Sequence, residues 1–198
     1  MPSITIHLQI GYLISKKINI NSYNYYLGII APDSPNLNGF GIKEERWSAH
    51  IRKKDLNNWR KDLKDFYYNE IKNYPKDFLL GYYIHILTDI IYDDYFYKIV
   101  KEEIIKDNIL EENAHNTMRE DMDKYYFKEL DIIKNILLND NTSYNINSIS
   151  KEKIILWKNK CINNFPSNNN SKYISNKLIK DLANKVYEEL LMISYLEK

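Results

Sequence analysis

The chain has 198 residues, of which 44% are hydrophobic, and its 28 lysines and arginines nearly balance its 27 aspartates and glutamates. This balance gives no electrostatic signal for nucleic acid or for an anionic membrane. The single cysteine excludes an internal disulfide. No apolar run is long enough to cross a membrane, and no charged segment followed by an apolar one opens the sequence, so we expect a cytoplasmic protein without a leader or transmembrane segment.

The composition favours helices over strands. Glycine and proline each occur only five times, and few segments alternate between apolar and polar residues as half-buried strands do. A chain of this length suits one core. We therefore predict an all-α protein in which residues 1–198 form a single helical domain, a multi-helix bundle.

The first predicted helix lies within residues 1–20, capped by Ser3 or Thr5, and carries His7 in its first turn. A histidine there is either a surface residue or a ligand. A short second helix ends at Ala31, because the residue before a proline disfavours helical geometry. Asp33 follows in a Pro-Asp-Ser-Pro turn, where it either caps its own backbone or is held as an oxygen ligand.

Residues 36–52 show no helical pattern and are predicted to form a loop, whereas residues 55–72 read as a helix that Asp55 caps. His50 lies in the segment WSAHI, just before that helix. A side chain on such a loop or helix entry can be directed into a cleft.

The clearest helix is predicted for DFLLGYYIHILTDIIYDD, residues 77–94, with Asp77 as its cap. His85 and Asp89 are four residues apart and therefore share one face. Gly81 lies one turn earlier, and a helical glycine costs about 1 kcal/mol relative to alanine, so we infer that something needs the space beside it. The pair is either a core histidine bonded to its own aspartate or two ligands of a buried metal.

Helix is predicted to continue to about residue 107, and another helix to run from near residue 113 to residue 137. His115 begins that helix. Its role as a ligand stays open, because the residue four positions later is Arg119 and not a carboxylate that could share its face. Asparagine-rich surface loops are predicted within residues 135–176, around a short helix at residues 151–163. The last predicted helix, residues 172–196, packs against the bundle.

The candidate ligands together offer imidazole and carboxylate without thiolate. They are His7, Asp33, His50, His85 and Asp89. This set suits zinc or a similar divalent cation in a hydrolytic site with two or more metals.

Four segments in this order, SITIHLQIG, YLGIIAPDSP, WSAHI and FLLGYYIHILTDIIYDD, resemble the zinc-dependent phospholipase C family in the short, unsecreted form found in bacteria. The resemblance covers roughly residues 1–130. It implies a bundle of the phospholipase C and P1 nuclease type with two or more zinc ions between its helices. It also implies that the five candidate ligands hold these ions and that Asp33 helps to deprotonate the attacking water.

Two departures from the family bear on the metal count. We expect no processed amino terminus to serve as a ligand, and the family's later His-x-x-x-Glu pair is not reproduced at His115 and Arg119. A site with one, two or three metals therefore stays open.

The leading hypothesis is a metal-dependent phosphoric-ester hydrolase whose substrate is a phosphodiester, with phospholipid as one option. A helical phosphohydrolase with an adjacent His-Asp doublet is disfavoured, because no such dipeptide occurs. The alternative is a non-catalytic helical protein with a structural or vestigial metal site. The sequence indicates neither an oligomeric state nor a specific nucleic-acid partner.

Overall fold

The computed structural model describes residues 2–193, which contain helices and no β-strand apart from one isolated bridge between Ile146 and Ile149. The helices in chain order are α1 (Ile4–Ile18), α2 (Tyr23–Ile30), α3 (Lys43–Ala49), α4 (Leu56–Glu70), α5 (Lys76–Ile91), α6 (Tyr97–Lys106), α7 (Glu111–Asp123), α8 (Leu130–Leu138), α9 (Lys151–Asn164) and α10 (Asn176–Leu190). A 3₁₀ helix, Ala31–Asn36, follows α2, and a π-helical segment, Tyr92–Phe96, joins α5 to α6. The predicted all-α class is confirmed.

Helix α5 is the centre of the molecule. Every residue of it from Phe78 to Ile91 is buried, and it packs against α1, α2, α4 and α10. A helix that is apolar on all sides is buried on all sides. The polar His85 and Asp89 on this helix are therefore held inside the protein core.

Two glycines let α2 and α5 approach until their backbones touch. A Cβ atom on Gly81 would collide with the carbonyl oxygen of Tyr25, and one on Gly28 would collide with that of Phe78. The space beside Gly81 is thus filled by the backbone of α2. The inference that something needs the space beside this glycine is confirmed, and what needs it is a neighbouring helix.

The start of α5 differs from the prediction. Pro75 is the N-cap, and Asp77 lies inside the first turn. The Asp77 carboxylate accepts a hydrogen bond from the Ser22 hydroxyl at 2.6 Å, while the Ser22 oxygen caps α2 by accepting from the Tyr25 amide. Asp77 therefore joins two helix starts instead of capping its own.

Three other boundaries also differ. The predicted loop at residues 36–52 contains α3, and the predicted helix at residues 113–137 is divided into α7 and α8 by a non-helical stretch. The last helix is shorter than predicted, and residues 194–196 of that prediction lie outside the described residues. Asp55 caps α4 as predicted, since its carboxylate accepts from the Asn58 amide at 2.8 Å.

Within residues 2–193, no helix combines the length and the apolar character that crossing a membrane requires.

Candidate metal centre

The structure brings all five candidate ligands together from four separate elements. His7 lies in the first turn of α1, Asp33 in the 3₁₀ helix and His50 at the C-cap of α3, while His85 and Asp89 lie one turn apart on α5. All five are buried, Asp33 with 7% of its surface exposed and His85 and Asp89 with none. Residues distant in the sequence thus form one buried polar cluster.

Asp89 lies at the middle of the cluster. Its Oδ1 is 3.4 Å from His7 Nε2, and its Oδ2 is 3.5 Å from His50 Nε2 and 3.7 Å from His85 Nε2. These separations are too long for good hydrogen bonds. The interpretation of His85 and Asp89 as a self-contained hydrogen-bonded pair therefore does not describe the geometry.

Asp33 and the histidine rings complete the arrangement. Asp33 Oδ1 lies 3.5 Å from His50 Nε2, and the Nε2 atoms of His50 and His85 are 3.2 Å apart. The rings of His7 and His85 are stacked, with centroids 3.7 Å apart. Two groups of three have all their ligand atoms within 4.8 Å of one another, and His85 belongs to both: His7, Asp33 and His85; His50, His85 and Asp89.

Backbone carbonyls orient two of the imidazoles. His85 Nδ1 lies 2.6 Å from the carbonyl oxygen of Ile29, and His50 Nδ1 lies 2.8 Å from that of Arg46. A carbonyl only accepts, so in each ring Nδ1 carries the proton and donates it. In the neutral rings both Nε2 atoms are then bare acceptors that face each other and the carboxylates, which is the tautomer that a metal requires.

The close packing of α2 and α5 produces one of these carbonyl contacts. Gly81 lets α2 approach α5, and the Ile29 carbonyl on α2 thereby meets the His85 ring one turn further along α5. The His50 backbone is held from the other side, where its own carbonyl accepts from Trp59 Nε1 at 2.8 Å. The neighbouring Ala49 carbonyl accepts from the Tyr82 hydroxyl.

The cluster shifts the acidity of its members in different directions. Burial alone would raise the pKa of Asp33 and of Asp89, but the surrounding imidazoles outweigh burial and lower both. Burial together with the neighbouring His7 lowers the pKa of His85 to about 3. Burial also opposes the charged form of His50, yet Asp33 and Asp89 outweigh it and raise the pKa of that ring. The two carboxylates are therefore ionised and His85 is neutral at pH 7.

Four atoms of the cluster have no hydrogen-bond partner among the described residues. They are both ring nitrogens of His7 and both carboxylate oxygens of Asp89, all inaccessible to solvent. A buried polar group left unpaired costs about 1–3 kcal/mol, and more when it is charged. A divalent cation bound to His7 Nε2 and to Asp89 would remove most of this cost, and nitrogen and oxygen donors of these kinds are zinc ligands. The residues present therefore fit zinc.

A cavity of about 890 Å³ lies beside the cluster. Asp33 and His50 line it, whereas His7, His85 and Asp89 lie behind them. The cavity wall also includes residues for which the sequence analysis had assigned no role, among them Phe40, Arg46 and Arg119. Three of the chain's four arginines, Arg46, Arg52 and Arg119, line this cavity, and no sequence signal indicated this.

His115 is not part of the cluster. It is exposed on α7, its ring packs 6.2 Å from that of Tyr97, and neither group of candidate ligands includes it. It does line the cavity. Its position is therefore that of a cavity residue in front of the cluster.

Comparisons with known proteins give one family. Neither the curated proteins nor the solved structures include a match to this sequence. A family model described as zinc dependent phospholipase C matches residues 4–197. The likeness thus extends well beyond the roughly 130 residues on which the four segments had placed it. Because the match covers nearly the whole sequence, the chain belongs to the zinc-dependent phospholipase C family.

Proposed function

We propose that this protein is a metal-dependent phosphoric-ester hydrolase that cleaves a phosphodiester in the manner of a phospholipase C. Its metal ligands would be His7, Asp33, His50, His85 and Asp89, with two or more zinc ions as the cofactor. Family membership supports the zinc dependence and the class of reaction. The five candidate ligands exceed the four that one tetrahedral zinc takes, which supports more than one ion.

One observation carries the proposal. A fully buried carboxylate, Asp89, faces three imidazoles at 3.4–3.7 Å with neither oxygen in a hydrogen bond to a described residue. A cluster that served only to stabilise a core would be expected to satisfy these atoms internally. The same cluster borders a large cavity, as a hydrolytic site must if a substrate is to reach it.

Bound zinc ions supply two things in such a site: they lower the pKa of water towards neutrality and balance negative charge on the phosphoryl oxygens. The chain itself supplies the rest. The carbonyls of Ile29 and Arg46 keep His85 and His50 in the required tautomer. Asp89, shielded from the cavity, keeps a fixed negative charge among the histidines.

We assign Asp33 a second role as a catalytic residue. Its carboxylate lies at the boundary between cluster and cavity, and its lowered pKa keeps it ionised at neutral pH. The 3₁₀ helix fixes its position, because Pro32 and Pro35 flank it there. A carboxylate oxygen of Asp33 is thus placed to take a proton from water that attacks a phosphorus atom in the cavity.

The direct test is turnover of a chromogenic phosphodiester such as bis(p-nitrophenyl) phosphate, with and without added zinc. We expect zinc-dependent hydrolysis by the wild type and a loss of about 10³-fold or more in His85→Ala, since this change removes a ligand that both groups share. Circular dichroism checks that the variant remains helical. Undiminished turnover by folded His85→Ala would overturn the proposal. Zinc-induced thermal stabilisation without hydrolysis of any phosphoester would support the structural alternative instead.

A further inference from the structure

The cavity beside the metal centre is lined by more cationic than anionic side chains. The cations are Arg46, Arg52, Arg119 and Lys160, and the acids are Asp33, Asp93 and Asp123. Arg52 is neutralised by Asp93, whose carboxylate lies 2.7 Å from its guanidinium. Among residues 2–193, no carboxylate lies within salt-bridge distance of Arg46, Arg119 or Lys160, so these three positive charges face the cavity without a direct counter-ion.

Two further acids, Asp33 and Asp123, line the cavity. Asp33 belongs to the metal cluster. Burial raises the pKa of Asp123, while the nearby Arg119 opposes this rise. Burial lowers the pKa of Arg46, and the positive charges of Arg119 and Arg52 lower it further while Asp33 opposes them. Like charges at this distance repel one another. An anionic ligand would relieve that repulsion.

Two arginines from different helices meet on one exposed ring. The guanidinium carbon of Arg46 on α3 lies 4.1 Å from the centroid of the Phe40 ring, and that of Arg119 on α7 lies 4.6 Å from it. Phe40 itself is 66% exposed. Arg46 is further fixed by a hydrogen bond from its Nε to the Gly41 carbonyl at 2.9 Å. Two guanidinium groups thus lie side by side at the cavity, both against the Phe40 ring. This arrangement is suited to bidentate recognition of phosphate or carboxylate.

Trp47 and Trp157, two aromatic residues of the cavity, are already in contact with the protein's own cations. Lys43 Nζ lies 4.6 Å from the ring of Trp47, and Lys160 Nζ lies 5.7 Å from that of Trp157. A quaternary ammonium group is bound by aromatic faces that offer it negative potential. Each of these two faces carries a positive charge close by, which would repel a choline-like group.

We propose, on the basis of the function proposed above, that Arg46 and Arg119 form an anion-binding subsite. This subsite selects phosphoesters that carry a second anionic group, a phosphate or a carboxylate, over those that carry a quaternary ammonium. The metal cluster receives the reacting phosphate, and the two guanidinium groups bind the second group. The preferred substrate is therefore an acidic phosphodiester.

Binding without turnover provides the first measurement. Calorimetry at low ionic strength compares three phosphomonoesters on the protein as purified: ethane-1,2-diol bisphosphate, ethyl phosphate and phosphocholine. All three offer one phosphate to the metal cluster, so differences between them report the second group. We expect the bisphosphate to bind about tenfold or more tightly than ethyl phosphate, and phosphocholine to bind most weakly.

The variants Arg46→Gln and Arg119→Gln test whether these two arginines cause the tighter binding of the bisphosphate. Each should reduce the advantage of the bisphosphate over ethyl phosphate by about tenfold, while the affinity for ethyl phosphate changes by no more than about threefold. Lys180→Gln removes a positive charge from the exposed surface of α10 and serves as the control, with all three affinities as in the wild type.

Turnover provides the second measurement, with p-nitrophenyl phosphodiesters of 2-phosphoethanol, ethanol and choline. We expect kcat/KM to fall in that order in the wild type and to become similar for the first two esters in the arginine variants.

Two results would overturn the proposed subsite. One is binding of phosphocholine that is as tight as, or tighter than, binding of the bisphosphate. The other is a preference for the bisphosphate over ethyl phosphate that is undiminished in both arginine variants. If all three esters are turned over at similar rates, the proposed subsite is refuted while the proposed hydrolase function is supported.

If none is turned over but the predicted order of binding affinities is observed, the hydrolase function is refuted while the subsite is supported.

Discussion

At the scale of single residues, the two carboxylates of the candidate metal centre are chemically alike but differently placed. Asp89 is completely enclosed and faces three histidines, whereas Asp33 reaches the cavity and faces His50. Burial raises the free energy of an isolated carboxylate, so each needs compensating partners. We infer that Asp89 holds the centre together and that Asp33 takes part in the reaction.

Replacement of Asp33 by asparagine tests this division. The amide keeps the shape of the side chain but does not accept a proton, so Asp33→Asn should lower kcat by about 10²-fold or more. Initial rates over a range of phosphodiester concentrations, at saturating zinc, separate kcat from KM. Asp181→Asn, which removes an exposed acid on α10, should match the wild type. A kcat for Asp33→Asn within threefold of the wild type would refute a catalytic Asp33.

The candidate histidine ligands could be selected from the sequence because histidine is rare in it. With four histidines in 198 residues, three in apolar surroundings beside glycine or aspartate stand out. The structure brings these three together with Asp33 and Asp89, while their role as metal ligands stays a prediction. The positions of Arg46 and Arg119 could not be predicted, because a charged residue on a helix has the same pattern whether it faces bulk water or a cavity.

At the scale of secondary structure, the crossing of α2 and α5 links packing to the site. Gly28 and Gly81 allow the two backbones to touch, and this contact sets the position of the Ile29 carbonyl that orients His85. Helix geometry, and not only side-chain chemistry, therefore determines the tautomer of a candidate ligand.

A pair of glycine substitutions tests this role. In Gly81→Ala the new methyl group meets the Tyr25 backbone carbonyl, which cannot rotate away, so we expect a loss of about 1–3 kcal/mol in the free energy of unfolding and weaker zinc binding. In Gly11→Ala the obstacle is the end of the Ile29 side chain. That end can move, and alanine gains up to about 1 kcal/mol of helix propensity, so the net loss should be smaller. Urea unfolding curves compare the two, and a Gly81→Ala midpoint equal to or above that of Gly11→Ala would contradict the proposed packing.

Helices were predictable from apolar periodicity, but a break between two of them was not. The apolar pattern runs on through residues 113–137, yet the chain leaves the helix after Asp123. There the buried Tyr125 hydroxyl donates to Asn176 at 2.8 Å, and the Lys124 carbonyl accepts from the Asn170 amide. Tertiary contacts with a distant segment thus override local preference, and one sequence window does not contain them.

At the scale of the whole molecule, the asparagine-rich later third is tied to the helices around the site. Asp121 on α7 is 5% exposed and accepts three hydrogen bonds, from the Ser171 hydroxyl at 2.6 Å and from the amides of Lys172 and Tyr173 at 2.7 and 2.9 Å. Helix α10 follows and packs against α1 and α5, which carry three of the five candidate ligands. The later third of the chain therefore helps to fix the helices that carry ligands of the candidate metal centre.

Replacement of Asp121 by asparagine should release this connection. The amide offers one acceptor oxygen in place of two and adds donors opposite other donors, so we expect a loss of about 1–3 kcal/mol in the free energy of unfolding. Asp181→Asn, at an exposed position, provides the matched control. Chemical denaturation followed by circular dichroism measures both. An unfolding midpoint for Asp121→Asn that coincides with that of the control would show that the three hydrogen bonds to Asp121 contribute nothing to stability.

The central claim is that the buried cluster holds zinc, and the metal content of the purified chain tests it most directly. Elemental mass spectrometry of untagged protein, prepared without chelator, compares the wild type with His85→Ala and with His115→Ala, whose histidine lies outside the cluster. We expect two or more zinc ions per chain in the wild type and in His115→Ala, and their loss from His85→Ala while the protein stays folded. A wild type without metal even after zinc is supplied, or an unchanged zinc content in His85→Ala, would contradict the central claim.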